Sequence, residues 1–412
     1  MSLPERTREA AVEEVFREAY GQAVATLIRL TGDITLAEDA VQDAFVVASD
    51  RWRRDGVPPN PAGWIVTTAR NRAIDDARRS ARGRGIREQL AVLQTRSTRS
   101  GPEERGEDGT VKDDRLRLIF SCCHPAIAAE HRVALTLRLL GGLSVEEIAR
   151  AFVVSDSAMA KRLVRAKYKI KAASIPYRVP SEADLPERLR SVLSVLYLIN
   201  NAGLDDPGRE SLRGDAIRLA RTLVELMPDE PEAAGLLALM LLGGSRAPAR
   251  SSDDGEVVLL RDQDRTLWDR GLIEEGQAIV RACIRRDRPG PYQLQAAIQA
   301  VHADAASYEA TDWRQIVELY DHLLTLMPTA VVALNRAIAV AETEGPSVAL
   351  TQIDAIAPKL DGYHLLHAAR GTMLRRLGRR AEARTAFERA ADLAATEPDR
   401  RFLLRQIEEL NE

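Results

Sequence analysis

The sequence predicts an all-α protein in three parts: two small helical domains, the second containing a helix-turn-helix, and a long C-terminal helical-repeat extension. Three observations carry this. Of the 412 residues 45% are hydrophobic but only 4% aromatic, so the interior must be built largely from Ala, Leu and Val. That mixture suits packed helices better than a β-sandwich, which leans on aromatic and β-branched side chains. Apolar residues recur at helical spacing through most of the chain. The hexapeptide Leu223-Val224-Glu225-Leu226-Met227-Pro228 returns as Leu323-Leu324-Thr325-Leu326-Met327-Pro328, with Leu219 and Leu319 matched one turn earlier, which marks a repeat architecture. A chain this long exceeds what one core usually supports, so several domains are expected.

The elements follow in order. Residues 10–54 read as two helices, the second with Ala37, Ala40, Val41, Ala44 and Ala48 on one face and Glu38, Asp39, Gln42 and Asp43 opposite. Asp55-Gly56-Val57-Pro58-Pro59-Asn60-Pro61 breaks the helix, because proline removes a donor and clashes with the preceding turn. A further helix is predicted from about Ala62 to Arg79, and residues 1–80 form the first domain. Residues 81–112, rich in Arg, Gly, Ser, Glu and Asp, read as a flexible linker. Helical periodicity resumes at Asp113, breaks at His124-Pro125 and continues through Ala172, giving a second domain over 113–180. Residues 181–412 form the extension, where Gly371, Leu374, Gly378, Ala383, Phe387 and Ala390 follow the small/large alternation of a tetratricopeptide repeat. In that pattern small residues let two helices approach, and Phe387 is expected to fill the gap to the next helix.

Composition excludes several classes. No apolar run approaches membrane-span length, charged residues occupy the place of a signal peptide's apolar run, and three cysteines, two of them adjacent, exclude a disulfide framework. A soluble cytoplasmic protein without membrane contact is expected. Net charge is −3, but residues 1–180 hold 30 Lys and Arg against 24 Asp and Glu, a net +6 that leaves −9 for the remainder. A basic front half is consistent with polyanion binding, and equally with scattered solvated charge.

The sharpest motif runs from Leu143 to Ile170. Ser144 and Glu147 form a capping box, Ala149 is small where two helices would cross, and Ile148, Phe152, Met159 and Leu163 fall at core positions of a helix-turn-helix. Ser155 or Asp156 caps the second helix, which carries Lys161, Arg162, Arg165, Lys167, Lys169 and Lys171, with no acidic residue between Asp156 and Glu182. A basic second helix suits a major groove. A second signal is Trp64, Thr67, Thr68, Arg70, Asn71 and Arg72, which combine a stacking ring, hydrogen-bonding groups and cations fit for unstacked bases. A tryptophan in such a place is more often a core anchor than a base platform. Cys122, Cys123, His124 and His131 lack a C-x-x-C pair and read as structural. His364 and His367 have no third ligand in view. The adjacent pairs Asp75-Asp76, Asp205-Asp206 and Asp253-Asp254 form no general acid/base pair, and neither a nucleophile elbow nor a phosphate loop is present, so a non-enzyme without cofactor or metal is expected.

Together these segments resemble bacterial sigma-70 factors of the extracytoplasmic-function (ECF) class. Ala37-Glu38-Asp39-Ala40-Val41-Gln42-Asp43-Ala44-Phe45 is similar to the region that grips the polymerase clamp, residues 61–79 to the part that melts and reads the −10 element, and residues 113–172 to the domain that reads the −35 element. The family's Thr-Val-Lys-Ser-Arg-Leu stands here as Ala158-Met159-Ala160-Lys161-Arg162-Leu163, with the lysine one position later. The resemblance implies polymerase contacts at Asp39, Gln42 and Asp43, −10 contacts at Trp64, Thr67, Thr68, Arg70, Asn71 and Arg72, and −35 contacts at Ser157, Ala158, Lys161, Arg162 and Arg165. Its implied partners are core RNA polymerase and promoter DNA. Some such factors carry a tetratricopeptide-like extension. Phe120-Ser121-Cys122-Cys123-His124-Pro125, Asp262-Gln263-Asp264-Arg265, residues 290–298 and residues 362–370 resemble that group, while Asn201-Ala202-Gly203-Leu204 departs from its Asn-Glu-Gly-Tyr. A protein or peptide partner for the extension is expected, and regulation or full activity depends on it in this reading. Two readings stay open beside this one: an effector-sensing helix-turn-helix regulator acting without polymerase, and a helical-repeat scaffold.

Overall fold

The computed structural model describes residues 19–79, 107–152, 154–203, 210–252, 256–394 and 396–410. Most of the expected linker, and Val153 in the helix-turn-helix turn, lie outside them. The described residues are helices joined by turns, apart from one isolated antiparallel bridge between Ser251 and Val257. They fall into two compact units divided between Leu226 and Met227.

The first unit begins with α1, helical over 19–31, which is buried on nearly every side. Its sequence explains why: Ala23, Val24, Ala25, Leu27 and Ile28 are all buried, and Arg29 is the one exposed residue of the helix. Gly32, at φ +67°, turns the chain into α2 (Ile34–Asp55), capped by Asp33 Oδ1 accepting from Thr35 N at 2.8 Å and Leu36 N at 3.1 Å. The predicted Ala37/Ala40/Val41/Ala44/Ala48 stripe is fully buried. After the proline-rich break, α3 (Pro61–Arg79) starts with its Gly63 N–H donating to Asn60 Oδ1 at 2.9 Å, and it packs on α2.

The helices α4 (Glu107–Cys122), α5 (Ala129–Leu139), α6 (Val145–Ala151) and α7 (Asp156–Ala172) follow. Next come α8 (Leu185–Ala202) and α9 (Glu210–Leu226), which in sequence open the extension yet fold into the first unit. The ties are specific. Arg188 Nη2 donates to Phe120 O and Ser191 Oγ to Cys123 O, both at 2.6 Å, while Arg115 Nη2 reaches Thr222 Oγ1 at 2.8 Å. The Phe120–Pro125 motif is therefore the turn that receives α8.

The second unit stacks α10 (Pro231–Gly244), α11 (Arg270–Arg286), α12 (Pro291–Asp304), α13 (Trp313–Leu326), α14 (Ala330–Thr343), α15 (Pro346–Ile356), α16 (His364–Arg376), α17 (Arg380–Leu393) and α18 (Glu397–Glu408), each against its sequence neighbours. Small residues set the closest approaches. A Cβ on Gly235 would lie 2.7 Å from Gln293 N, and one on Gly371 2.8 Å from the Phe387 ring. Phe387 thus fills the space above Gly371 within its own helix pair, as well as packing in the cluster that holds Leu403 of the next helix. The repeated hexapeptides behave alike: Leu223 and Leu323 are both buried, and α9 and α13 both end just before their Met-Pro pairs. Residues 256–269, leading into α11, form a strap. Trp268 enters the core, Arg265 stacks 4.5 Å above its ring, and Arg265 Nη1 donates to His302 O at 2.7 Å and Ala305 O at 2.6 Å, closing the end of α12. This accounts for the Asp262–Arg265 motif, whose Asp264 caps Thr266 N at 2.8 Å.

Candidate nucleic-acid interface

In α6 the capping box is formed: Glu147 N donates to Ser144 Oγ at 3.1 Å and Ser144 N to Glu147 Oε2 at 2.7 Å. Ser155 caps α7 through Ala158 N at 3.3 Å. Ile148, Met159 and Leu163 are buried between the two helices, with Phe152 half-buried. This core fixes which side of α7 faces outward. At 100° per residue, Ser157, Lys161, Val164, Arg165 and Tyr168 share one face, and all are exposed. Arg162 and Ala158 lie toward its flank and are half-buried, and Arg162 Nη1 stands 3.5 Å from Glu130 Oε2. Val164 and Tyr168, 65% and 72% exposed, were not among the residues singled out from sequence. Large apolar side chains left in water between two cations were the available signal, since thymine methyls are read by apolar contact.

On α3, Trp64, Thr67, Thr68 and Asn71 fall along one stripe, with Arg72 at its edge and Arg70 about 120° away. Thr67 and Asn71 are exposed, while Trp64, Thr68, Arg70 and Arg72 are half-buried. Trp64 stands edge-on to buried Trp52, ring centroids 5.5 Å apart, so part of its ring anchors α3 to α2.

On α2, Asp39 and Asp43 are exposed and Gln42 is half-buried. Partial burial, and then the neighbouring Glu38 carboxylate, raise the Asp39 carboxyl above its ordinary value. Glu38 itself departs from the sequence reading, which put it on the solvent face: it is 4% exposed. Its Oε1 accepts from Arg138 Nε at 2.6 Å, and its Oε2 pairs with Lys167 Nζ. Both partners lie about a hundred residues or more along the chain, which no local pattern reveals.

Cys122 and Cys123 are buried, and burial pushes the Cys123 thiol up to about 11. Among the described residues no group of three His, Cys, Asp or Glu side chains is placed to hold a metal ion. Nor is any described helix long and apolar enough to cross a membrane.

Residues 15–83 match the family model for sigma-70 region 2 and residues 117–170 that for sigma-70 region 4, while residues 188–284 match a family of unknown function, DUF6596. The ECF RNA polymerase sigma factor SigL of Mycobacterium tuberculosis strain H37Rv is 32% identical over 159 residues, 37% of this chain and 85% of SigL. Uncharacterized protein R00370 of Rhizobium meliloti strain 1021 is 44% identical over 397 residues, 95% of this chain and 94% of that protein. A crystal structure of the P58(IPK) TPR domain aligns over 90% of this chain and 98% of its own, at 12% identity and a TM-score of 0.26, a likeness too slight to argue from. An all-helical molecule with region 2 and region 4 in this order is a sigma factor of the sigma-70 type. The chain belongs to the ECF sigma factors of that family.

Proposed function

We propose that the chain is an ECF-type factor that binds core RNA polymerase and directs promoter-specific initiation, with full activity dependent on its C-terminal helical repeats. The carrying observation is the exposed face of α7, cationic and partly apolar, in one chain with the α2–α3 pair. In this reading Asp39, Gln42 and Asp43 meet the polymerase clamp. Trp64, Thr67, Thr68 and Asn71 hold −10 bases, with Arg70 and Arg72 supplying charge to the backbone. Lys161 and Arg165 enter the −35 major groove beside Ser157 and Ala158, and Arg162 steadies the helix flank or reaches a phosphate once released from Glu130. Run-off transcription with purified core polymerase on genomic promoters is the test: specific transcripts are expected, and none from a variant with Asp39 and Asp43 both reversed to lysine. A palindromic footprint by the protein alone would instead favour a regulator acting without polymerase.

The extension's partner is a protein or peptide in this proposal. The strap and the last helix enclose a cleft of about 370 Å³ whose wall includes Arg261, Asp262, Arg375, Phe402 and Arg405, and its mixed charge and single aromatic ring suit a polar peptide. A chain ended after Leu226 keeps α8 against the Phe120–Pro125 turn and α9 against Arg115 of α4. It is expected to fold and to lose transcription, and full activity from it would show the repeats to be dispensable.

A further inference from the structure

The Asp262–Arg265 motif brings together positive charge that the sigma-factor reading does not use. Arg265 of the strap and Arg246, just beyond α10, both lie against the Trp268 ring, with Cζ 4.5 Å and 5.9 Å from its centroid. The partners these guanidinium groups have are neutral. Arg265 Nη1 donates to the carbonyls of His302 and Ala305, and Arg246 Nη2 to Gln299 Oε1. Burial, then the Arg250 and Arg265 charges, push the Arg246 guanidinium down to about 9. The exposed Glu309 carboxylate bears on Arg265 without pairing with it. One aromatic ring offsets only part of the cost of burying a cation, and two cations beside it repel each other.

Three polar atoms of the same group of side chains have no protein partner: Arg265 Nη2, Trp268 Nε1 and His302 Nδ1. Trp268 and His302 are only 3% and 8% exposed. The first two atoms can only donate. The His302 imidazole, kept neutral by burial and then by the Arg246 and Arg265 charges, can carry its proton on Nδ1. Buried donors are almost always satisfied in folded proteins. Donors left over beside two cations that lack a carboxylate call for one thing, an oxygen bearing negative charge. We propose that the strap and α12 hold a small oxyanion, of the phosphate or carboxylate class, between Arg246 and Arg265, with Trp268 Nε1 and His302 Nδ1 as further donors. Arginine suits the task, because its planar fork offers paired donors to either kind of anion. Since the three donors are buried, the anion enters when the strap rises from α12, and its charge then holds the strap down. The site shares no residue with the cleft beside α18, yet Arg261 and Asp262 of the same strap wall that cleft. The bound anion therefore also fixes one side of the cleft.

The test is calorimetry of the full chain at constant ionic strength, in sodium chloride and with sodium phosphate or sodium acetate replacing part of it. The melting transition of the repeats is expected to rise saturably with an oxyanion, by about 3–6 °C at ten times its dissociation constant. A rise with phosphate alone assigns the site to a phosphate group, and an equal rise with acetate assigns it to a carboxylate. Arg246→Gln removes one charge of the repelling pair, so it should melt no lower than the parent in chloride and lose the response to the anion. A side chain that served packing alone would instead lower the transition and leave the response intact. Trp268→Phe keeps the ring and deletes its N–H, and should weaken anion binding several-fold; it decides the matter if Arg246→Gln fails to fold. No rise with either oxyanion beyond that in chloride, or an undiminished rise in the folded variants, overturns the proposal.

Discussion

Where α2 meets the helix-turn-helix, the contact is a buried carboxylate between two cations from distant segments; where α16 meets α17, it is a glycine under a phenylalanine ring. Both join helices, but on different terms. The ionic contact can be exchanged for water or for another partner, whereas the Gly371–Phe387 contact yields nothing when separated except an exposed ring and a groove. One contact is held by charge and the other by shape, so a substitution that removes a charge tests the first and one that changes volume tests the second.

The largest effect should come from breaking the fixed side. Phe387 is 1% exposed over Gly371, and truncating a buried phenylalanine typically costs about 3–5 kcal/mol. Phe387→Ala should therefore lower the melting transition of the repeats while leaving that of the first unit in place. Calorimetry of the full chain checks this, and a single transition shifted as a whole would show the two units to be one cooperative body.

A smaller effect sharpens the other side. Arg165 is exposed on the outward face of α7, while Arg162 is half-buried beside Glu130. Arg165→Ala should cost about 1–3 kcal/mol in discrimination at the −35 element if it makes a bidentate base contact, and Arg162→Ala less, spread evenly over sequences. Titrating −35 duplexes with cognate and substituted bases separates the two. A larger, sequence-selective loss at Arg162 would turn the helix face by a third of a turn.

Acid should distinguish the units as well. Burial, and then the nearby Arg246 and Arg265 charges, hold the His302 imidazole down at about 3. Unfolded, it takes up a proton near pH 6.5, so below that pH the unfolded state binds more protons and the repeats lose stability as pH falls. By pH 5 the loss attributable to this group is about 2 kcal/mol. His302→Gln should flatten the difference in repeat stability between pH 7 and pH 5, and an unchanged slope would assign the acid sensitivity to carboxylates.

How far the sequence disclosed these features depended on the range of the interaction. The α2 stripe, the Ser144–Glu147 box and the Ser155 cap are set by residues within a few positions of each other, and all appear as read. The repeated hexapeptide was legible because its two copies align position for position, and the small/large alternation around Gly371 and Phe387 because it follows a known repeat pattern, although Phe387 was expected against the next helix and its ring also covers Gly371. Glu38 was read on the solvent face because its cations stand far along the chain, and the docking of α8 and α9 into the first unit depends on Arg188, Ser191 and Arg115, which look like ordinary surface residues in sequence. Val164 and Tyr168 escaped notice because apolar residues within a helix are first assigned to the core, and only the packed arrangement shows them outside it.

The smallest predicted effect tests whether local order in the helix-turn-helix can be separated from the ionic contact beneath it. α6 has seven residues, too few to be stable alone, and its first turn depends on Ser144 accepting from Glu147 N. Ser144→Ala should cost about 1 kcal/mol, felt as fraying of α6 and looser placement of α7. Arg138 touches this site through Leu143 O but holds Glu38 through a different nitrogen, at 2.6 Å. The cap variant should therefore weaken binding of −35 duplexes modestly while the distance between α2 and α7, measured by energy transfer between labels on the two helices, keeps its parental value. If labels on α2 and α7 move apart along with the loss of binding, the cap and the Glu38–Arg138 contact are one cooperative element.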